Sequence, residues 1–224
     1  MKSRPILMNG EMVRAVLSGR KTQTRRIIKD AEYVEGWTEL ERMPPIYRGW
    51  WSNDDRTAHT SIDLDCPLGY VGDRLYVRED WCVGNIYDHQ APSEICSHLR
   101  RDIGDPPCKV AYPASGGCVG LKVRPSTHMP KWASRITLEI TDVRVERLCG
   151  IADEDAIAEG IECEHSDTFS DAVYRSYAKG QKGWLLSAKA SFGTLWQSIY
   201  GPDSWVANPW VFAITFKRIE AKHD

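Results

Sequence analysis

Ile136-Thr137-Leu138-Glu139-Ile140-Thr141-Asp142-Val143-Arg144-Val145 reads as a strand whose inward phase changes partway along. Ile136, Leu138 and Ile140 alternate at the two-residue period of a half-buried strand, and Val143 and Val145 alternate in the opposite phase. A slip near Thr141-Asp142 is what a β-bulge or sharp bend produces, and small barrels use such bends to close. Trp210, Phe212, Ile214 and Phe216 form a second alternating strand, and Pro5 to Met8 a short one ahead of an Asn9-Gly10 turn. Over Arg74 to Trp81, Leu75, Val77, Glu79 and Trp81 share one face, which turns the carboxylate of Glu79 inward. Helical spacing marks Glu11 to Ser18, closed by Gly19, and Ser187 to Tyr200, with Phe192, Leu195, Trp196 and Ile199 on one stripe. Shorter helices are expected over Ala152 to Gly160, which is acidic, and over Ser170 to Ala178. Strands bracketed by short helices, without a βαβ rhythm, predict an α+β fold around a small β-barrel.

At 224 residues the chain exceeds the ~150 residues of a typical domain without reaching two. The expected layout is one domain over 1–224, with loop insertions at about 29–67 and 82–118, where periodicity disappears. Trp37, Trp50 and Trp51 fall in the first insertion. Lys and Arg total 29 against 31 Asp and Glu, so the net charge of −2 excludes a uniformly basic nucleic-acid coat protein. An anionic partner must meet a local patch. No apolar run approaches the ~20 residues of a membrane span, and no signal-peptide pattern follows Lys2 and Arg4. The expectation is a cytoplasmic protein without a membrane partner. Seven irregularly spaced cysteines then predict reduced thiols. Cys82, Cys96, His98, Cys108 and Cys118 lie in one insertion, but no tight pair of the kind that holds structural zinc occurs. Cys163-Glu164-His165 is as weak a cue, so neither a metal nor a cofactor is expected.

Two stretches gather positive charge. Met12 to Lys29 has six basic residues and no acid, with Arg20, Lys21, Arg25 and Arg26 crowded around Thr24. A P-loop is ruled out, because the glycines that should precede Lys21 are missing. Val119 to Leu138 is also free of acids and carries Lys122, Arg124, His128, Lys131, Trp132 and Arg135. Basic side chains interleaved with a Trp fit phosphate contact and base stacking; a solvated basic face is the plainer alternative. Arg25, Arg26, Arg124 and Arg135 are expected on one positive face, and Lys21 at an exposed position just beyond a helix.

The octet Gly19-x-Lys21-x-x-Thr24-x-Arg26 resembles the signature of ASCH domains, usually written G-x-K-x-x-E-x-R. With Thr in place of that Glu, it looks like the branch written G-R-K-T-x-T-x-R. Gly72 to Glu79 resembles the family's next strand, Ala156-x-x-Glu159-Gly160-Ile161 its helix, and Pro209 to Phe216 its closing strand. The layout, including Pro125-Ser126-x-His128-Met129-Pro130-x-Trp132-Ala133-Ser134-Arg135, is similar to ASCH proteins encoded by phages and prophages. The resemblance implies a barrel related to the PUA domain, with a basic cleft that takes RNA or a modified nucleobase. One ASCH branch hydrolyses the acetyl amide of N4-acetylcytidine with a Lys, a Thr and a Glu, which fall here on Lys21, Thr24 and Glu159. Thr24 would attack the acyl carbon or orient a water. Lys21 would take a proton or stabilise the oxyanion, and Glu159 would hold the exocyclic nitrogen. Glu79 is a rival carboxylate. Lys21 and Thr24 are three residues apart, which a regular strand places on opposite faces; they converge only in a turn or bulge. A modified nucleoside or single-stranded RNA is the expected partner. The alternatives are a non-catalytic nucleic-acid-binding module and a phage accessory protein that binds a host protein.

Overall fold

The computed structural model describes residues 1–29, 39–43, 46–52, 59–95, 110–165, 172–180 and 183–219. Strands β1 (Ser3–Leu7), β6 (Arg74–Arg78), β7 (Thr137–Arg147), β11 (Trp210–Ile219) and β2 (Gln23–Ile27) form a five-stranded sheet in that order. It is mixed, because β1 runs parallel to β6 whereas β6–β7 and β11–β2 are antiparallel. The fold is α+β. The closed barrel expected from the sequence is not found among the described residues, where β1 and β2 end the sheet. The chain entering β2 is bonded instead by the end of a helix: Thr22 N–H donates to Ala158 O at 2.8 Å. β7 still has the phase change read from its sequence, since Leu138, Ile140 and Val143 are buried and Thr141 is exposed.

The chain divides into two compact units. The first holds Met1–Ser18, Asp73–Glu139 and Arg218–Asp224. Its helix α1 (Gly10–Leu17) starts on the Asn9 side chain, which accepts from Met12 N–H, and buries Val13, Ala15 and Val16. The positive φ of 79° at Gly19 ends the helix where a side chain would be strained. Leu75, Val77, Glu79 and Trp81 are all buried, as their alternation requires. Trp81, Val83, Ile95, Met129 and Ala133 build a second cluster, flanked by Tyr112 and Trp132. Isolated bridges pair Trp81 with Arg124 and Cys82 with Ala111, folding the second insertion back on itself. They bring Cys82 and Cys118 to a Cα separation of 6.0 Å, where the two form a disulfide. This corrects the expectation of reduced thiols for that pair; Cys149 and Cys163 are outside any disulfide. Cys96, His98 and Cys108 lie outside the described residues.

The second unit holds Gly19–Gly72 and Ile140–Lys217. Helix α2 (Asp153–Ala158) and helix α3 (Ala188–Tyr200) pack Ile151, Ala156, Phe192 and Trp196 into one core with Leu148, Ile161 and Val211. Ile199 leaves the predicted stripe and is 47% exposed. The helix expected over Ser170 to Ala178 is corrected: Ala172–Arg175 is a strand, β9, between β8 (Cys163–His165) and β10 (Trp184–Leu185). Val173 and Tyr174 are β-formers, and burial of Val173 favours the pleated surface over a helical turn. Within the first insertion β3 (Glu39–Met43), β4 (Ile46–Ser52) and β5 (His59–Leu64) make an antiparallel meander rather than loop. Trp50 and Trp51 lie on β4, and Trp37 is outside the described residues. No helix among the described residues is long and apolar enough to cross a membrane.

Candidate functional site

Alternation along β2 and the residues that lead into it decides where the motif side chains go. Lys21, Gln23 and Arg25 fall on one face, and Thr24 and Arg26 on the other. On the first face, Lys21 Nζ donates to Glu159 Oε2 at 2.7 Å and to the Glu159 carbonyl at 2.9 Å. Glu159 is the C-cap of α2, so the ammonium satisfies a carbonyl that the helix end leaves open. An isolated antiparallel bridge between Lys21 and Glu159 fixes the two backbones side by side. Lys21 is 3% exposed and Glu159 6%. The expectation of an exposed Lys21 is corrected, because the bridge and helix end cover it.

Arg25 extends the network. Its Nε and Nη2 donate to Glu146 Oε1 at 2.9 and 2.7 Å, Nη2 also reaches Asp155 Oδ2 at 3.2 Å, and Nη1 reaches Glu159 Oε1 at 3.2 Å. Gln23 links the pieces, accepting from Arg25 Nη1 and donating to Asp155 Oδ1 at 2.8 Å. Arg144 adds a third cation, on Asp155 at 2.7 Å. Lys21, Arg25 and Arg144 thus face Glu146, Asp155 and Glu159, a balanced set in which Lys21, Arg25 and Glu159 are buried and the other three are partly exposed. Burial pushes the Lys21 amine below its ordinary value of 10.5, against the pull of Glu159; Arg26 and Arg25 push the same way.

Thr24 is 1% exposed, and its Oγ1 accepts from Arg26 Nη1 at 2.8 Å. β2 is regular here, pairing Thr24 with Ile214, so no bulge turns the hydroxyl toward Lys21. The structure therefore joins Lys21 to Glu159 and leaves Thr24 on the other face. Gln23, Arg144, Glu146 and Asp155 are the members sequence reasoning missed. Their signals were present: Gln23 shares the parity of Lys21, Asp155 precedes Glu159 by one helical turn, and Arg144 and Glu146 share a face of β7.

The remaining candidates are placed as follows. Arg25 is fully buried by three carboxylates, so the expectation that it lies on an open positive face is corrected. Arg124 is buried too, its guanidinium donating to the carbonyls of Tyr87 and Gln90. Arg135 binds both oxygens of buried Glu79, at 2.8 and 2.9 Å, and lies 4.0 Å over the Tyr112 ring. Glu79 is therefore inward, as read, and ion-paired within the first unit. Burial pushes the Tyr112 phenol up to about 12. Lys122 donates to Asp88 O, and Trp132 packs edge-on against Trp81. Arg20, His128 and Lys131 are exposed. Among the described residues no group of His, Cys, Asp and Glu is arranged to hold a metal ion. Compared with known proteins, the chain matches no family model, no curated sequence and no solved structure.

Proposed function

We propose that this chain is an ASCH-type domain whose Lys21–Glu159 centre receives a modified nucleobase, with N4-acylcytidine as the ligand class. The observation that supports the reading is the 2.7 Å contact between Lys21 and Glu159, which stand 138 residues apart in the sequence. The family resemblance pairs these two positions, and an acylated cytosine offers groups that suit them. Its exocyclic N–H can donate to the Glu159 carboxylate, and its acyl oxygen can accept from the Lys21 ammonium.

A hydrolytic reading is favoured by one further observation: the Glu159 carboxylate, a proton acceptor, stands directly beside the Lys21 ammonium, a cation that suits a developing oxyanion. With Thr24 on the opposite face, water is the nucleophile. The Glu159 carboxylate takes a proton as the water oxygen bonds to the acyl carbon, the Lys21 ammonium holds the acyl oxygen as charge develops on it, and the Glu159 carboxyl gives the proton to N4 as the carbon–nitrogen bond breaks. The products are a carboxylic acid and cytidine. The test is incubation with N4-acetylcytidine, followed by chromatography for cytidine and by calorimetry for binding, on wild type, Glu159→Gln and Thr24→Ala. Binding by wild type that Glu159→Gln loses and Thr24→Ala keeps supports the reading. Cytidine release with the same pattern supports hydrolysis through water, whereas loss with Thr24→Ala alone refutes that route. Absence of both binding and turnover by wild type refutes the reading as a whole.

A further inference from the structure

The charges around the Lys21–Glu159 centre are sorted by depth. Lys21, Arg25 and Glu159 are buried, two cations against one carboxylate, so the interior carries a net positive charge. Solvent reaches the network at its outer members. There the Arg144 side chain is 38% exposed and those of Glu146 and Asp155 are 23% exposed each. One cation against two carboxylates makes this rim net negative. All of these residues belong to the second unit.

Local structure sets the layering. On the inner side, the Arg25 guanidinium carbon lies 5.8 Å from the centre of the buried Phe192 ring. On the outer side, Arg144 and Glu146 share a face of β7, and Asp155 stands one helical turn before Glu159. Arg144 does not neutralise both acids: it donates to Asp155 Oδ2 at 2.7 Å but stands 3.7 Å from Glu146 Oε2. Arg25 divides its donors among Glu146, Asp155 and Glu159. Arg26 lies on the opposite face of β2, bonded to Thr24 and the Arg25 carbonyl. Among the described residues no other cation pairs with Glu146 or Asp155.

A ligand that enters past this rim meets opposite fields at its two ends. An acyl oxygen, and negative charge developing on it, gains from the buried positive excess. An anionic group left at the rim is repelled by its carboxylates. In cytidine the N4 edge and the 5′ carbon are at opposite ends. With the acylated edge at Glu159, a 5′-phosphate therefore falls on the solvent side, at the rim.

Building on the Lys21–Glu159 reading, we infer that Glu146 and Asp155 are specificity-determining residues that select against 5′-phosphorylated ligands, so that the centre takes the free, uncharged nucleoside. The same charges select against an RNA strand, which carries a phosphate on each side of the nucleoside.

The test is calorimetric titration of the full chain with N4-acetylcytidine, its 5′-monophosphate and the uncharged dimethyl ester of that phosphate. At about 50 mM salt, wild type should bind nucleoside and ester alike and the monophosphate at least about fivefold more weakly. The gap should narrow by about 200 mM salt as screening grows. In Asp155→Asn and in Glu146→Gln it should close to about twofold or less, because either change leaves the rim without net charge. Glu154→Gln removes an exposed carboxylate of α2 that takes no part in the network, and should keep most of the gap. Each protein is compared with itself across ligands, so a general loss of affinity cancels. The salt comparison needs no variant, and holds even where Asp155→Asn does not fold. Wild type that binds the monophosphate as tightly as the nucleoside overturns the charge selection and leaves the Lys21–Glu159 reading standing. So does equal rejection of ester and monophosphate, which marks size, or a gap that neither salt nor substitution narrows. Absence of binding of all three ligands by wild type overturns that reading and the charge selection with it.

Discussion

Lys21 is the residue at which charge, burial and backbone meet. Removing one member of a buried ion pair leaves the other uncompensated, which costs about 3–5 kcal/mol. Lys21→Ala is expected to lose that much in urea unfolding, more than an exposed position would. Arg25, 3.2 Å from Glu159, places the loss toward the lower end. The pH dependence follows from the depressed amine. Below the folded-state value of Lys21 both states carry the proton, and the full penalty of a buried ammonium is present. Between that value and 10.5 the unfolded chain keeps a proton that the folded one has released, so stability rises with pH. Wild type should therefore gain stability relative to Lys21→Met as pH climbs toward 10.5; a flat difference would contradict the assignment. Tyr112 behaves in the opposite sense. Its phenol donates to Ala133 O at 2.8 Å and titrates at about 12, so stability contributed there falls as pH rises above 10. Absorbance titration near 295 nm should show a component with a midpoint of about 12 that is absent in Tyr112→Phe.

At the scale of elements, β2 and the end of α2 carry the site. The period-two rule already set Lys21 and Thr24 apart in the sequence, and β2 is regular enough for the rule to hold. The sequence could not show that Ala158 and Glu159 would bridge the chain entering β2. That contact depends on α2 stopping after one and a half turns, which it does at Gly160 with a φ of 91°. A side chain there is strained by about 1–2 kcal/mol. Gly160→Ala should lower the melting temperature and loosen the Lys21–Glu159 contact, read as faster amide exchange at Thr22, whose N–H donates to Ala158 O. Strand phase was legible where one face was core, with Glu79 inward and Val143 buried after the slip; on β11, Val211 and Ala213 are buried as well as Phe212 and Ile214, so alternation in its sequence understated the burial. Ala172–Arg175 and the β3–β5 meander were not, because neither carries clean alternation and both owe their form to pairing between neighbours.

For the whole molecule, composition identified the charge balance but not how it is spent. A net charge of −2 excluded a coat of positive charge, yet acid-free stretches did not mean free cations. Arg25, Arg124 and Arg135 find partners that are distant in sequence, and only the folded chain reveals them. The disulfide is another long-range fact. Cys82 and Cys118 close a loop with a sequence separation of 36, for which chain-entropy arguments give about 3–4 kcal/mol. Reduction, or Cys82→Ser with Cys118→Ser, should lower the unfolding midpoint accordingly; an unchanged midpoint would place the stability of the first unit elsewhere.

Calorimetric titration of N4-acetylcytidine into wild type and Glu159→Gln separates a nucleoside-recognising Lys21–Glu159 centre from an ion pair that only holds the fold. A charge-assisted hydrogen bond contributes about 1.5–3 kcal/mol. Saturable binding by wild type, weakened about tenfold or more in Glu159→Gln with the fold intact by circular dichroism, is the predicted result. Equal binding by the two proteins, or none by wild type, would contradict it.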